Sequence, residues 1–410
     1  MSDSVVNAAA AAPGADGPLV DGDVVVPTPE ITLYKTFDEM GLPDQLLRGI
    51  YSFGFERPSA IQQKGIVPIR EGRDILAQAQ SGTGKTGTFT IGSLSRVDPN
   101  MKQVQVLILV HVRELAHQIR DVVNAIGSHL GITAHCATGG PPIREDIRAI
   151  EKGCQVLVGT PGRIYDLMYR NYLHRDNVRV LIMDEADQML QDKFQEQVMY
   201  ILKMGFPKET QVALFSATMP EEVVEVADSI LRNPVRILVD PTEVPLEGIA
   251  QFFVKLGREE WKYDTLCDLY QQLNINQALI YCNKRQKAEW LAKKMTDQGF
   301  PLGFIHGEMD LEERKQRMKD FRSGQVRVMI STDMLARGID VQQVSLVINY
   351  ELPAQKENYI HRIGRAGRFG RKGVTINLIC DEEGRAMDEI EQHYNIKLNP
   401  LPQNLEQLPM

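Results

Sequence analysis

The sequence predicts an α/β protein made of two successive units of similar build, each a mostly parallel sheet flanked by helices. Three observations predict it. From Phe37 onward, short and almost continuously apolar runs alternate with amphipathic stretches, the pattern of buried parallel strands and their helical crossovers. The alternation breaks at residues 239–245, where two prolines and two acids interrupt any regular element, and then restarts. Finally, 410 residues exceed what a single hydrophobic core usually supports.

Taken in order, residues 1–30 mix Ala, Gly, Pro, Asp and Val with no lasting period and read as a flexible tail. The first unit is expected over 31–238, with strands at 74–77, 104–110, 155–159, 178–183 and 211–216. A linker is expected over 239–249. The second unit, 250–410, repeats the pattern with strands at 278–282, 303–306, 326–332, 344–350 and 373–379, and helices at 284–298 and 311–321. No short-period repeat is visible, which argues against a solenoid.

Composition narrows the function classes. A net charge of -8 argues against a chain coated in positive charge for nonspecific nucleic-acid binding, while leaving room for a local basic groove. Five scattered cysteines show no metal-ligand spacing and fit a reducing compartment. The first 34 residues carry no Lys or Arg, so neither a secretory signal nor a transit peptide is supported. No segment is apolar for long enough to span a bilayer, and a soluble intracellular chain is expected. The eight histidines lack ligand spacing, and Trp261 and Trp290, in amphipathic helical patterns, are expected to be partly buried.

Two motifs describe one nucleotide site. Ser81, Gly82, Thr83, Gly84, Lys85 and Thr86 form a glycine-rich turn that opens a helix and aims backbone N–H groups at phosphates; Lys85 adds a point charge and Thr86 a hydroxyl for Mg²⁺. Ala79 stands where the general pattern has its first glycine. Asp184, Glu185, Ala186 and Asp187 end an apolar run: Asp184 can complete the metal site and Glu185 can polarise an attacking water. Either half alone has a bland explanation, a chance tripeptide or a solvated helix start. Together they favour an ATPase. The second unit ends in His361, Arg362, Ile363, Gly364, Arg365, Ala366, Gly367 and Arg368, whose guanidiniums suit phosphate and can stabilise charge developing in γ-phosphoryl transfer.

From Phe37 to the C-terminus, these motifs in this order resemble the DEAD-box ATP-dependent RNA helicases. The resemblance implies two tandem RecA-like domains, with ATP and Mg²⁺ between them and RNA lying across both. It implies an RNA-stimulated ATPase that unwinds duplexes locally as the domains close. Phe37 and the stretch Gly54 to Gln62 look like the adenine-reading motif, so Phe37, Arg57 and Gln62 are implied to select ATP. Ser216, Ala217 and Thr218 look like the motif that couples hydrolysis to unwinding, together with Asp187 and His361. RNA contacts are implied at Arg113, Gly139, Gly140, Thr160, Pro161, Gly162 and Arg163 in the first unit, and at Arg314, Thr332, Arg337 and Gly338 in the second. Asp340 is implied to lie toward the nucleotide, and Arg365 and Arg368 to act as arginine fingers. Contacts to backbone and 2′-hydroxyl imply little sequence preference.

Two departures from the family pattern concern RNA. His111 and Val112 replace Pro-Thr, and Leu311 replaces the glutamine three positions before Arg314. Each lost polar contact is expected to cost ~1 kcal/mol of RNA affinity. Within the family, the stretches Glu259 to Tyr270 and Leu335 to Tyr350 look most like the translation-initiation branch, which implies a cytoplasmic monomer working with a helical-repeat scaffold protein. The alternative is a nuclear, ATP-dependent RNA clamp of the exon-junction type, toward which Ile330, Ser331, Thr332 and Asp333 lean.

Overall fold

The computed structural model describes residues 32–79, 82–190, 192–237, 248–273, 275–336, 344–366, 372–405 and 408–409, without the side chains of 192, 193 and 222. The expected tail (1–30) and nearly all of the expected linker lie outside the described residues, as do Ser81, Arg337, Gly338, Asp340 and Arg368.

Among the described residues, two sheets of seven strands form, and the strand pairings are parallel. The first contains β1 (Ile75–Gln78), β2 (Val106–Leu109), β3 (Ala134–Ala137), β4 (Val156–Gly159), β5 (Val180–Asp184), β6 (Gln211–Ser216) and β7 (Val235–Ile237) in the order β3-β4-β2-β5-β6-β1-β7. The second contains β8 (Ile249–Leu256), β9 (Ala278–Tyr281), β10 (Gly303–Ile305), β11 (Val328–Ser331), β12 (Leu346–Asn349), β13 (Gly373–Cys380) and β14 (Asn399–Pro400) in the order β10-β11-β9-β12-β13-β8-β14. Helices cover both faces, so alternate strand residues feed separate cores. Val180, Ile182, Ala213 and Phe215 pack on one side of the first sheet, and Leu181, Met183, Val212 and Leu214 on the other.

The sequence pattern located the central strands and missed β3, β7, β8 and β14. The reason is burial. β3 and β7 lie at the edges of their sheet, and β8 is only partly buried along most of its length, so none shows a continuous apolar run. β8 also starts at Ile249, inside the span expected to be linker. No described helix is long and apolar enough to cross a membrane.

The register fixes the site. Gln78 of β1 lies opposite Ser216 of β6, and Phe215 lies opposite Asp184 of β5, so three carboxyl ends stand side by side. By the two-residue period, Asp184 shares the face of Val180 and Ile182, the face on which the helix Lys85–Leu94 packs through Phe89 and Ile91.

Candidate nucleotide and RNA site

β1 leads into the glycine turn, where Gly82 (φ +85°) and Gly84 (φ +107°) take backbone conformations that side chains disfavour. Gly84 caps the helix that begins at Lys85, so the turn's amides and the positive helix end point the same way. Lys85 is buried, donates to the Ala79 carbonyl at 2.8 Å and stands 3.8 Å from Glu185 Oε1. Thr86, on the first turn, is half-buried.

Burial first and the neighbouring Glu185 charge second push the Asp184 carboxyl up to about 7, against the opposing pull of Lys85. Glu185 sits at φ +56°, a left-handed conformation held at the strand end, where backbone strain commonly marks function. Asp187 accepts from the Thr218 hydroxyl at 2.6 Å, and the Thr218 amide donates to Ser216 Oγ at 3.3 Å. Two hydroxyl side chains thus hold the acidic turn in register with β6. From the second lobe, His361 Nε2 reaches within 3.4 Å of Asp187 Oδ2, both side chains being buried. Glu185, Asp187 and His361 bring their ligand atoms within 4.8 Å of one another.

In the second lobe, Arg365 is buried and donates through Nε to the His361 carbonyl at 3.1 Å. Arg362, which the motif groups with the phosphate-suited arginines, is the clamp of this lobe. It donates to Asp333 Oδ1 at 2.5 Å, Glu351 O at 2.7 Å and Asn283 Oδ1 at 2.7 Å, tying together the carboxyl ends of β9, β11 and β12. Thr332 caps the turn Asp333–Leu335 beside it.

The adenine-reading segment packs against the phosphate turn and the first-lobe core. The Phe37 ring is fully buried, edge-on to Tyr51 at 6.2 Å and stacked on Phe55 at 6.4 Å, within the core that holds Met40, Leu46 and Ile50. Phe55 is the aromatic that reaches the phosphate-turn helix; a Cβ on Gly87 would lie 3.0 Å from its ring. Gln62 is buried with both amide ends engaged. Its oxygen accepts from the Ser59 amide at 2.9 Å in a capping box, and its nitrogen lies 3.4 Å from the Gly84 carbonyl. It therefore ties this segment to the glycine turn. Arg57 is exposed on the preceding loop.

The RNA candidates fall into two groups. Thr160 caps the helix Pro161–Tyr169 at the strand end of β4, with Pro161 at its first position, and its carbonyl accepts from the Arg163 amide at 3.1 Å. Arg163 bonds the buried Asp146 carboxylate and donates to Pro141 O at 2.6 Å; His135 meets the same carboxylate at 2.8 Å. At the second group, Arg113 opens the helix Arg113–Gly127 and donates to the Gly139 carbonyl, while Gly140 beside it is exposed. Arg314 of the second lobe pairs with Glu114 of the first. The Asp146 partnership with Arg163 and His135 and the Arg314–Glu114 pair were missed in sequence, since partners far apart in the chain leave no local pattern. Trp261 and Trp290, expected to be partly buried, are 51% and 44% exposed; Trp290 lies under Lys287 and Lys294 rather than in the core.

Residues 59–226 match the family described as DEAD/DEAH box helicase, and 261–370 match the helicase conserved C-terminal domain. An ATP-dependent RNA helicase eIF4A of Pyricularia oryzae is 54% identical over 373 residues, covering 91% of this chain and 94% of that one. Its counterpart in Neosartorya fischeri is 55% identical over 379 residues, covering 92% and 94%. The solved structure of S. cerevisiae Dbp5 bound to RNA and ADP BeF3 matches with a TM-score of 0.85 at 36% identity, covering 90% of this chain and 96% of that one. With tandem RecA-like folds and these matches along its length, the chain belongs to the DEAD/DEAH box helicase family.

Proposed function

We propose that this protein is an RNA-stimulated ATPase that opens short RNA duplexes by closing its two lobes on ATP and a single strand, and that it serves translation initiation. The observation that carries the proposal is the seam where His361 of the second lobe stands 3.4 Å from Asp187, next to the acids that end β5. Phosphate-binding groups and charge-stabilising groups come from different lobes, so turnover is tied to their approach.

In this scheme the amides of Gly82, Thr83 and Gly84 and the Lys85 ammonium hold the β- and γ-phosphates, and Glu185 orients the attacking water or takes its proton. Asp184 and Glu185, both buried, share the Lys85 ammonium, with the buried Asp187 carboxylate close by. That excess of negative charge suits a divalent cation, which Thr86 and Asp184 would hold. Such an ion, when bound, neutralises charge on the phosphate oxygens. Arg365 and Arg368 stabilise the charge that develops on the transferred group. Adenine selection falls to Phe37, Arg57 and Gln62. Arg113, Gly139, Gly140, Thr160, Pro161, Gly162, Arg163, Arg314, Thr332, Arg337 and Gly338 grip the RNA backbone, and Ser216, Thr218, Asp187 and His361 couple the two sites. RNA and ATP then raise each other's affinity reciprocally. A cytoplasmic monomer docked on a helical-repeat scaffold protein completes the proposal.

The test is ATP turnover titrated with RNA, in the unaltered chain and in Glu185→Gln. RNA should stimulate turnover strongly, and the substitution should cut it by roughly 10²–10⁴-fold while nucleotide still binds. Turnover indifferent to RNA or to the substitution overturns the mechanism. Stalled phosphate release on RNA with nuclear retention would mark the clamp function instead.

A further inference from the structure

On the RNA side of the seam, the helix Arg113–Gly127 of the first lobe and the helix Leu311–Arg322 of the second bring their first turns together. Arg314 and Glu114 pair there, their side chains 11% and 10% exposed. Arg113 and Arg314 are close enough for their charges to oppose one another. Each has an Nε–H group that is buried and meets no acceptor among the described residues. The side chain that shares this space is a hydrocarbon. The position a Cβ would take on Gly140 lies 2.5 Å from Arg113 Nη2 and 3.1 Å from Leu311 Cδ2, so the leucine methyl and the guanidinium share one small space. Leu311 also lies three residues before Arg314, on the same face of its helix.

We propose that Leu311 sets how tightly the lobes close on RNA: a side chain that accepts no hydrogen bond leaves two guanidinium N–H groups orphaned at the seam and weakens the closed arrangement. Buried charged donors without acceptors are costly, and the cost falls only on the state in which the seam is formed. The protein therefore needs more RNA to reach a given degree of closure than it would with an amide at position 311. Leu311 is a positioning residue in this account, which rests on RNA-driven closure as the source of turnover.

The experiment uses the full chain and Leu311→Gln, with ATP turnover at saturating ATP titrated with single-stranded poly(U). The half-saturating RNA concentration should fall roughly 5–10-fold, the worth of a hydrogen bond to a charged group, with kcat little changed. In an Arg314→Lys background, which lacks that Nε–H, the gain should shrink markedly. A side chain that merely fills space would move the melting temperature without this split between RNA requirement and kcat. Should the Gln variant melt early, Leu311→Glu carries the same acceptor and the same expected direction. An unchanged or higher RNA requirement, or an equal gain in the Arg314→Lys background, overturns the proposal alone. Turnover in the unaltered chain that ignores RNA overturns it together with the proposed function.

Discussion

β1 and β8 hold the same place in their respective sheets: the order β3-β4-β2-β5-β6-β1-β7 maps strand by strand onto β10-β11-β9-β12-β13-β8-β14. Each is followed by a turn and a helix with a lysine near its head, Lys85 in one lobe and Lys262 in the other. Their surroundings differ. Lys85 faces the buried acids Asp184 and Glu185 beside a glycine turn. Lys262 is 1% exposed and bonded at 2.5 Å to Glu383, itself 22% exposed, beyond the end of β13. Around the second strand edge lies a cavity of about 590 Å³ lined by Tyr263, Trp290 and Tyr350. Two of its lysines are already matched: Lys287 pairs with Glu259 at 2.6 Å, and Lys294 sits 3.5 Å over the Tyr263 ring. One topology thus carries a charge-starved edge in the first lobe and a charge-satisfied edge in the second. Chemistry follows the loops at the strand ends rather than the fold.

Exchanging the two lysines for neutral residues breaks this comparison most directly. Lys85→Ala should lower ATP turnover by at least ~10²-fold, because a preorganised charge at the phosphates is lost. Lys262→Met should leave turnover near normal. It should instead destabilise the second lobe by about 3 kcal/mol or less, at the low end for a broken buried pair because Glu383 keeps some water. Equal losses of turnover from both would erase the distinction between the edges. Steady-state phosphate release and thermal melting separate the outcomes.

A smaller effect sharpens the charge-starved half of the comparison. The Asp184 carboxyl, pushed up to about 7 in the folded chain, titrates near 3.9 when unfolded. Between those values the folded chain holds a proton that the unfolded chain has released. Its contribution is fully present below about pH 4 and is lost as pH rises toward 7. Asp184→Asn removes the dependence. Without nucleotide or divalent cation, the variant should melt a few degrees above the unaltered chain at pH 7.5, with a smaller gap at pH 5. A gap that widens toward acid would contradict the assignment. The smallest effect expected is at Val112, which caps the helix Arg113–Gly127 in extended backbone with no side-chain bond. Val112→Thr should stabilise the first lobe by about 1 kcal/mol, read by denaturant unfolding, and should also tighten RNA in filter binding.

Much of this site is legible in sequence because its parts are local. The turn 81–86 and the acids 184–187 each belong to one strand end, and their apolar runs announce buried strands without reference to anything distant. Sequence says less where a residue's role depends on a partner chosen in space. Arg362 reads like its neighbours Arg365 and Arg368, yet it spends its donors on Asp333, Glu351 and Asn283. Glu114 carries no sign that its partner is Arg314, 200 positions away. Nothing local in the sequence announces that the Phe37 ring packs on Phe55 or that Phe55 lies against Gly87.

The central claim is that the first lobe binds the nucleotide and the second completes its chemistry only when RNA draws the lobes together. The direct measurement is Arg365→Ala in the full chain, with ATP affinity followed by a fluorescent analogue and turnover followed with and without RNA. The account predicts nearly unchanged nucleotide affinity and loss of the RNA-stimulated part of turnover by roughly 10²-fold or more. RNA stimulation that survives intact in that variant would contradict it.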